Sequence, residues 1–212
     1  MWIDALLVFL ILTNLMLLGS SRMGSCIRLV AVQGVVLGLL PLLILEHMQL
    51  SRALFLSLAA VGLKGVVFPW LLSRALREAG VRREVEPIVS YAMSLLFGLV
   101  ALGLSFWLGA HLRLPSTMMG SLVIPSALFM ILVGFFLIIS RRKALNQVLG
   151  YLVLENGAYT LGLVLVGEIN FLVELGVLLD VFVAVFVMGI AIYHMNREFD
   201  HIDVDRLDQL KG

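Results

Sequence analysis

A chain of 212 residues that is 61% hydrophobic, carries only 14% charged residues and has a formal net charge of +1 is too apolar for an ordinary soluble domain. Its mean hydropathy of +1.08 points to an integral membrane protein. The scattered Lys and Arg form no extended basic stripe, which argues against nucleic acid as a partner, and the single cysteine, Cys26, excludes an internal disulfide or a cysteine-built metal cluster.

Seven apolar runs of bilayer-spanning length follow one another: Ile3 to Gly19, Ile27 to Leu45, Ala53 to Leu72, Ile88 to Ala110, Gly120 to Ser140, Leu145 to Val166 and Phe171 to Tyr193. The first is read as a retained helix rather than a cleaved signal. Asp4 precedes it and Arg22 and Arg28 follow it, the reverse of a secretory signal's charge order. Basic residues accumulate on the cytoplasmic side of membrane proteins. Here Arg22, Arg28, Arg74, Arg77, Arg82, Arg83, Arg141, Arg142, Lys143, Arg197, Arg206 and Lys211 fall in the odd connections and the tail, against Arg52 and Arg113 in the even ones. The expected fold is therefore all-α, with seven transmembrane helices, the N-terminus outside and the C-terminus cytoplasmic. Residues 1–72 form an N-terminal three-helix part, 73–87 a basic cytoplasmic connection, 88–193 a four-helix part and 194–212 a cytoplasmic tail. Pro87 stands where a new helix would start. The recurrence of a central polar residue and then a charge, Gln33 and Lys64 in one half and Glu155 and Asp180 in the other, hints at an internal repeat of the kind that places functional groups at mid-membrane.

Lys64, Glu155 and Asp180 are ionisable residues inside otherwise apolar spans. A charge at the bilayer centre costs about 2.5–3.5 kcal/mol even on the lower scales, so such residues face protein or water and commonly handle ions or protons. The plainer alternative is an ion pair that only locks helices together. At about 1.5 Å per residue, Glu155 lies about 15 Å into its helix, near the midplane of a roughly 30 Å core. Lys64 is similarly central, and Asp180 lies nearer the outside. Tyr151, Glu155 and Tyr159 are spaced to line one helix face, with Asn156 and Gly157 beside it, so two phenols can donate to the carboxylate. Around Asp180, the small Gly176 and Ala184 suit close helix packing. Consecutive antiparallel helices can bring Glu155 and Asp180 to one water-lined interface, where protons pass between them. Glu168 and Glu174 flank the sixth connection, and Glu174 is a candidate proton entry or exit group. His47, His111, His194 and His201 all fall outside the spans, against a paired-histidine haem site. No nucleotide-binding loop or metal-spaced histidine pair occurs, so catalysis is not expected in this chain.

The run from Arg141, Arg142 and Lys143 through Asn146, Gly150, Tyr151, Glu155, Asn156 and Gly157 resembles the E component of hydrogenase-4, a membrane subunit of formate hydrogenlyase-type complexes. So do Leu172 to Met188 around Glu174 and Asp180, the tail from Asp203 to Gly212, and Lys64 with Pro69. The last three helices are more distantly similar to the K-type subunit of complex I and the C-type subunit of multisubunit sodium/proton antiporters. There, a pair of arginines precedes a helix with a central glutamate. Arg141 and Arg142 match the arginines, whereas the glutamate's position falls at Leu152 and the carboxylate here is Glu155, one turn on. The resemblance implies a multi-pass protein of a prokaryotic plasma membrane and a non-catalytic subunit of a hydrogenase-bearing, complex I-like assembly. Its partners would be antiporter-like membrane subunits and hydrogenase-type subunits, with the nickel-iron centre and iron-sulfur clusters held by those partners and no cofactor in this chain. Lys64, Glu155, Asp180, Tyr151, Tyr159 and Glu174 would be its proton-relay or charge-coupling groups. A self-standing ion transporter or channel and a purely structural membrane subunit remain alternatives. A retinal protein fits poorly, because it needs its lysine in the seventh helix. Whether Lys64 pairs with Glu155, with Asp180 or with another subunit is open at the level of sequence.

Overall fold

The computed structural model describes residues 2–43, 54, 57–78, 88–112 and 122–165. Among them the architecture is helical throughout, without strands: α1 (Trp2–Gly19), α2 (Met23–Leu43), a π-helical segment (Val61–Val67) running directly into α3 (Phe68–Glu78), α4 (Tyr91–His111), α5 (Val123–Ser140) and α6 (Ala144–Leu165). Among the described residues, five helical stretches are long and apolar enough to cross a membrane: Trp2–Gly19, Met23–Leu40, Ser57–Arg77, Tyr91–His111 and Val123–Ser140. The sixth helix, α6, has 22 residues and carries the polar cluster treated below. The expected seventh span, with Glu174 and Asp180, and the expected tail lie outside the described residues.

Helix ends shift from the apolar runs for local reasons. The fourth helix starts at Tyr91, after the expected Ile88, because the Ser90 side chain accepts from the Met93 N–H at 3.3 Å and so caps it. The third continues to Glu78, past the apolar limit at Leu72. Ala75 is buried there while Arg74 and Arg77 are exposed, so its last turns are amphipathic where the earlier ones are not.

Helix α4 is built inside out relative to a helix of a soluble protein. In α4 the buried positions are the small residues Ser94, Gly98, Ala101 and Ser105, whereas Met93, Leu96, Leu99, Val100 and Trp107 are exposed. Such an apolar outer stripe suits hydrocarbon, and small inward residues let backbones approach. Phe97 of α4 stacks on Phe136 of α5, with ring centroids 4.2 Å apart.

The closest approach is between α5 and α6. A Cβ at Gly134 would lie 2.5 Å from the Leu154 nitrogen, and one at Gly157 would lie 2.8 Å from the Ala127 oxygen. Glycine is required at this crossing because backbone fills the space a side chain would need. That approach, and the packing of α2 on both the π segment and α6, fix where Lys64 and Glu155 meet.

Candidate functional site

The two mid-span charges find each other. Lys64 Nζ donates to Glu155 Oε1 at 2.6 Å, with side chains only 6% and 3% exposed. It makes a longer, 3.4 Å contact with Asn156 Oδ1, and it sits 5.1 Å from the centroid of the Tyr159 ring. One ammonium thus has a carboxylate, an amide oxygen and an aromatic face around it, the combination that offsets removal of a cation from water.

Three local features place Lys64. It sits inside the π-helical segment, whose widened turn is closed by the Phe68 N–H donating to the Leu63 carbonyl, five residues back. Single π turns interrupt α-helices frequently at functional sites. The second feature is Gly34 of α2, where a Cβ would fall 2.5 Å from Lys64 Cβ, so α2 presents bare backbone to the lysine's stem. The third is α6, which supplies Glu155, Asn156 and Tyr159 on one side of the helix.

The Glu155 carboxylate is half satisfied. Oε1 accepts from Lys64, while Oε2 is buried without a hydrogen-bond partner. Tyr159 presents its ring to Lys64, and Tyr151 packs against the apolar core. A buried acceptor of this kind has room in its chemistry for one more proton or one more donor, which a purely apolar lock does not.

A second polar cluster lies in the first two helices. Gln33 Nε2 donates to Thr13 Oγ1 at 3.0 Å, Thr13 Oγ1 donates to the Leu10 carbonyl at 2.8 Å, and Asn14 Nδ2 donates to the same carbonyl at 2.7 Å. All three side chains are buried. Gln33 immediately precedes Gly34, so this cluster and the lysine site share one turn of α2. Gln33 and Lys64, matched in sequence to Glu155 and Asp180 as a repeat, therefore belong to one neighbourhood with Glu155. Sequence reading singled out Gln33 but gave no sign of Thr13 or Asn14, which look like ordinary polar residues of a span. Among the described residues no group of three His, Cys, Asp or Glu side chains is placed to hold a metal ion.

Over 208 residues the chain is 32% identical to the uncharacterized protein Rv0085 of Mycobacterium tuberculosis, an alignment covering 95% of this chain and 92% of that protein. The chain belongs to that protein's family. It is also similar to hydrogenase-4 component E of Escherichia coli K12, 27% identical over 162 residues, covering 76% of this chain and 75% of that protein. The same component of Shigella flexneri matches to the same extent. No protein-family model matches the chain, and no solved structure matches it significantly. The resemblance to hydrogenase-4 component E read from the motifs is thus supported at the level of a distant relative.

Proposed function

We propose that this protein is a non-catalytic membrane subunit of a complex I-like, hydrogenase-4-type redox complex, and that the Lys64–Glu155 pair belongs to its proton (or sodium) path and helps couple charge within the membrane arm. The similarity to hydrogenase-4 component E supports the assembly. The observation that carries the coupling role is the buried pair itself, with one carboxylate oxygen left unpartnered. An ion pair at this depth stabilises by less than its removal from water costs unless every atom is satisfied, so an incompletely satisfied one is poorly explained as a lock. In this reading a proton delivered to Oε2 releases the ammonium toward Asn156 and Tyr159. Asp180, Glu174 and Tyr151 extend the path in the same reading. The arginines Arg141 and Arg142 and the last helices would then play the part they have in K-type and C-type subunits, with the nickel-iron centre and iron-sulfur clusters in partner subunits of a prokaryotic plasma-membrane complex.

Gentle solubilisation, native capture of this chain and mass spectrometry of what remains bound test the assembly. Recovery of antiporter-like and hydrogenase-type subunits is the expected result. A monodisperse chain alone would put the self-standing transporter in its place. Proton uptake by inverted vesicles carrying Glu155→Gln tests the coupling role: it is expected to be lost while the complex still assembles.

A further inference from the structure

The helical stretch Ser57–Arg77 has two edges with opposite surroundings. Its inner edge, Lys64, Phe68, Leu72 and Ala75, is buried and carries one member of the charge pair. Its outer edge, Leu58, Val66, Trp70, Arg74 and Arg77, is exposed, and Gly62 on the same line meets nothing within 4 Å of a Cβ. Steps of four, four and three residues from Val66 to Arg77 keep these side chains on one face. The proposed function uses the inner edge alone.

The outer edge changes chemistry in one direction along its length. Leu58 and Val66 are 72% and 63% exposed, a surface suited to hydrocarbon. Trp70, one turn after Val66, is 52% exposed, and such amphipathic rings gather where a bilayer meets water. Arg74 then places its Cζ 5.6 Å from the Trp70 ring centroid, a cation–π contact, and Arg77 lies one turn beyond. The apolar run ends at Leu72, so both arginines fall just past the hydrocarbon, at the depth of lipid phosphates. Val66 to Arg74 covers about 12 Å of helix, which fits within one leaflet of a roughly 30 Å core.

We propose that this edge seats a phospholipid with an anionic headgroup, its acyl chain along Leu58 and Val66, its glycerol region at Trp70 and its phosphate at the level of Arg74 and Arg77. Charge selects the lipid class. Helix α3 holds two arginines and one acid, Glu78, a net charge of +1. A guanidinium fork donates two parallel hydrogen bonds to a phosphate. A zwitterionic lipid brings a quaternary ammonium that cancels its phosphate's charge, whereas an acidic lipid such as phosphatidylglycerol keeps it. A neighbouring transmembrane helix is the weaker occupant, because close helix packing asks for repeated small residues and Gly62 is the single one on this edge.

Trp70 itself reports the occupant. In the full-length protein, Trp2→Phe with Trp107→Phe leaves Trp70 as the one tryptophan. This protein is reconstituted into mixed vesicles of phosphatidylcholine and phosphatidylglycerol, with bromine on the acyl chains of one lipid or the other, and fluorescence quenching gives their relative affinity at Trp70. Phosphatidylglycerol is expected to be favoured about fivefold at low salt, the effect of one net charge beside a membrane. Adding Arg74→Gln with Arg77→Gln is expected to bring the ratio to parity or below. If that variant fails to fold, raising the salt to about 0.5 M decides, since screening is expected to erase most of the preference. Equal quenching by both lipids, a preference undiminished by the variant or by salt, or no quenching by either lipid because a second copy covers the ring overturns the proposal.

Discussion

Lys64 and Glu155 show how much one hydrogen bond decides at the residue scale. Each is an expensive guest in a membrane span when taken alone, and they become tolerable only as a 2.6 Å pair. Removing one partner strands the other, so Glu155→Gln and Lys64→Met are each expected to destabilise the protein by about 3–5 kcal/mol, measured as denaturant unfolding in detergent. The double variant Lys64→Met with Glu155→Leu is expected to recover most of that stability, since an apolar pair of similar volume replaces the ions. The same double variant separates coupling from locking. If the pair only locks helices, proton translocation survives in it; on the reading above translocation is lost although the fold is kept.

Glycine governs the scale of elements. The crossing of α5 and α6 brings Gly134 so close to Leu154 that a methyl group would lie 2.5 Å from a backbone nitrogen. Gly134→Ala is therefore expected to cost about 1–3 kcal/mol by forcing the helices apart, read from the denaturant midpoint. Gly162→Ala in α6 is the control. Nothing lies within 4 Å of a Cβ there, and replacing glycine within a helix is expected to be neutral or to stabilise by up to about 1 kcal/mol. The Ser90 cap is worth a similar amount: Ser90→Ala is expected to cost about 1 kcal/mol and to fray the start of α4, seen as faster amide exchange at Met93. The π segment is the other element-scale device. Its widened turn brings Lys64 to Glu155 while α2 packs against it through Gly34, and neither helix shows this in its hydropathy.

For the whole molecule, the polar clusters of α1–α2 and of the π segment and α6 sit inside an apolar outer surface that only a bilayer accommodates. The uneven distribution of arginine and lysine predicts an orientation for that surface, and labelling tests it. With Cys26→Ser as background, Arg142→Cys is expected to react with an impermeant maleimide only from the cytoplasmic side and His111→Cys only from outside. Both positions are exposed, so a reversed pattern would overturn the orientation rather than report burial.

Composition and apolar run length determined by themselves that the protein is helical and membrane-embedded, because a bilayer accepts few other backbones and each run must satisfy its own hydrogen bonds. They also marked Lys64 and Glu155, since a charge in an apolar run is visible without any structure. Which charges meet was settled by tertiary structure. Lys64 and Glu155 are 91 residues apart in the chain, and their contact depends on a π turn and on glycines whose purpose appears only when a second helix lies against them. Arg141 makes the point in the other direction. In sequence it is one basic residue of a short connection, with nothing to mark it for burial, yet the turn between α5 and α6 folds it under the end of α1 and out of water. Periodicity reports which side of a helix is apolar; it carries no information on what covers that side, and burial of a charge is decided by the cover.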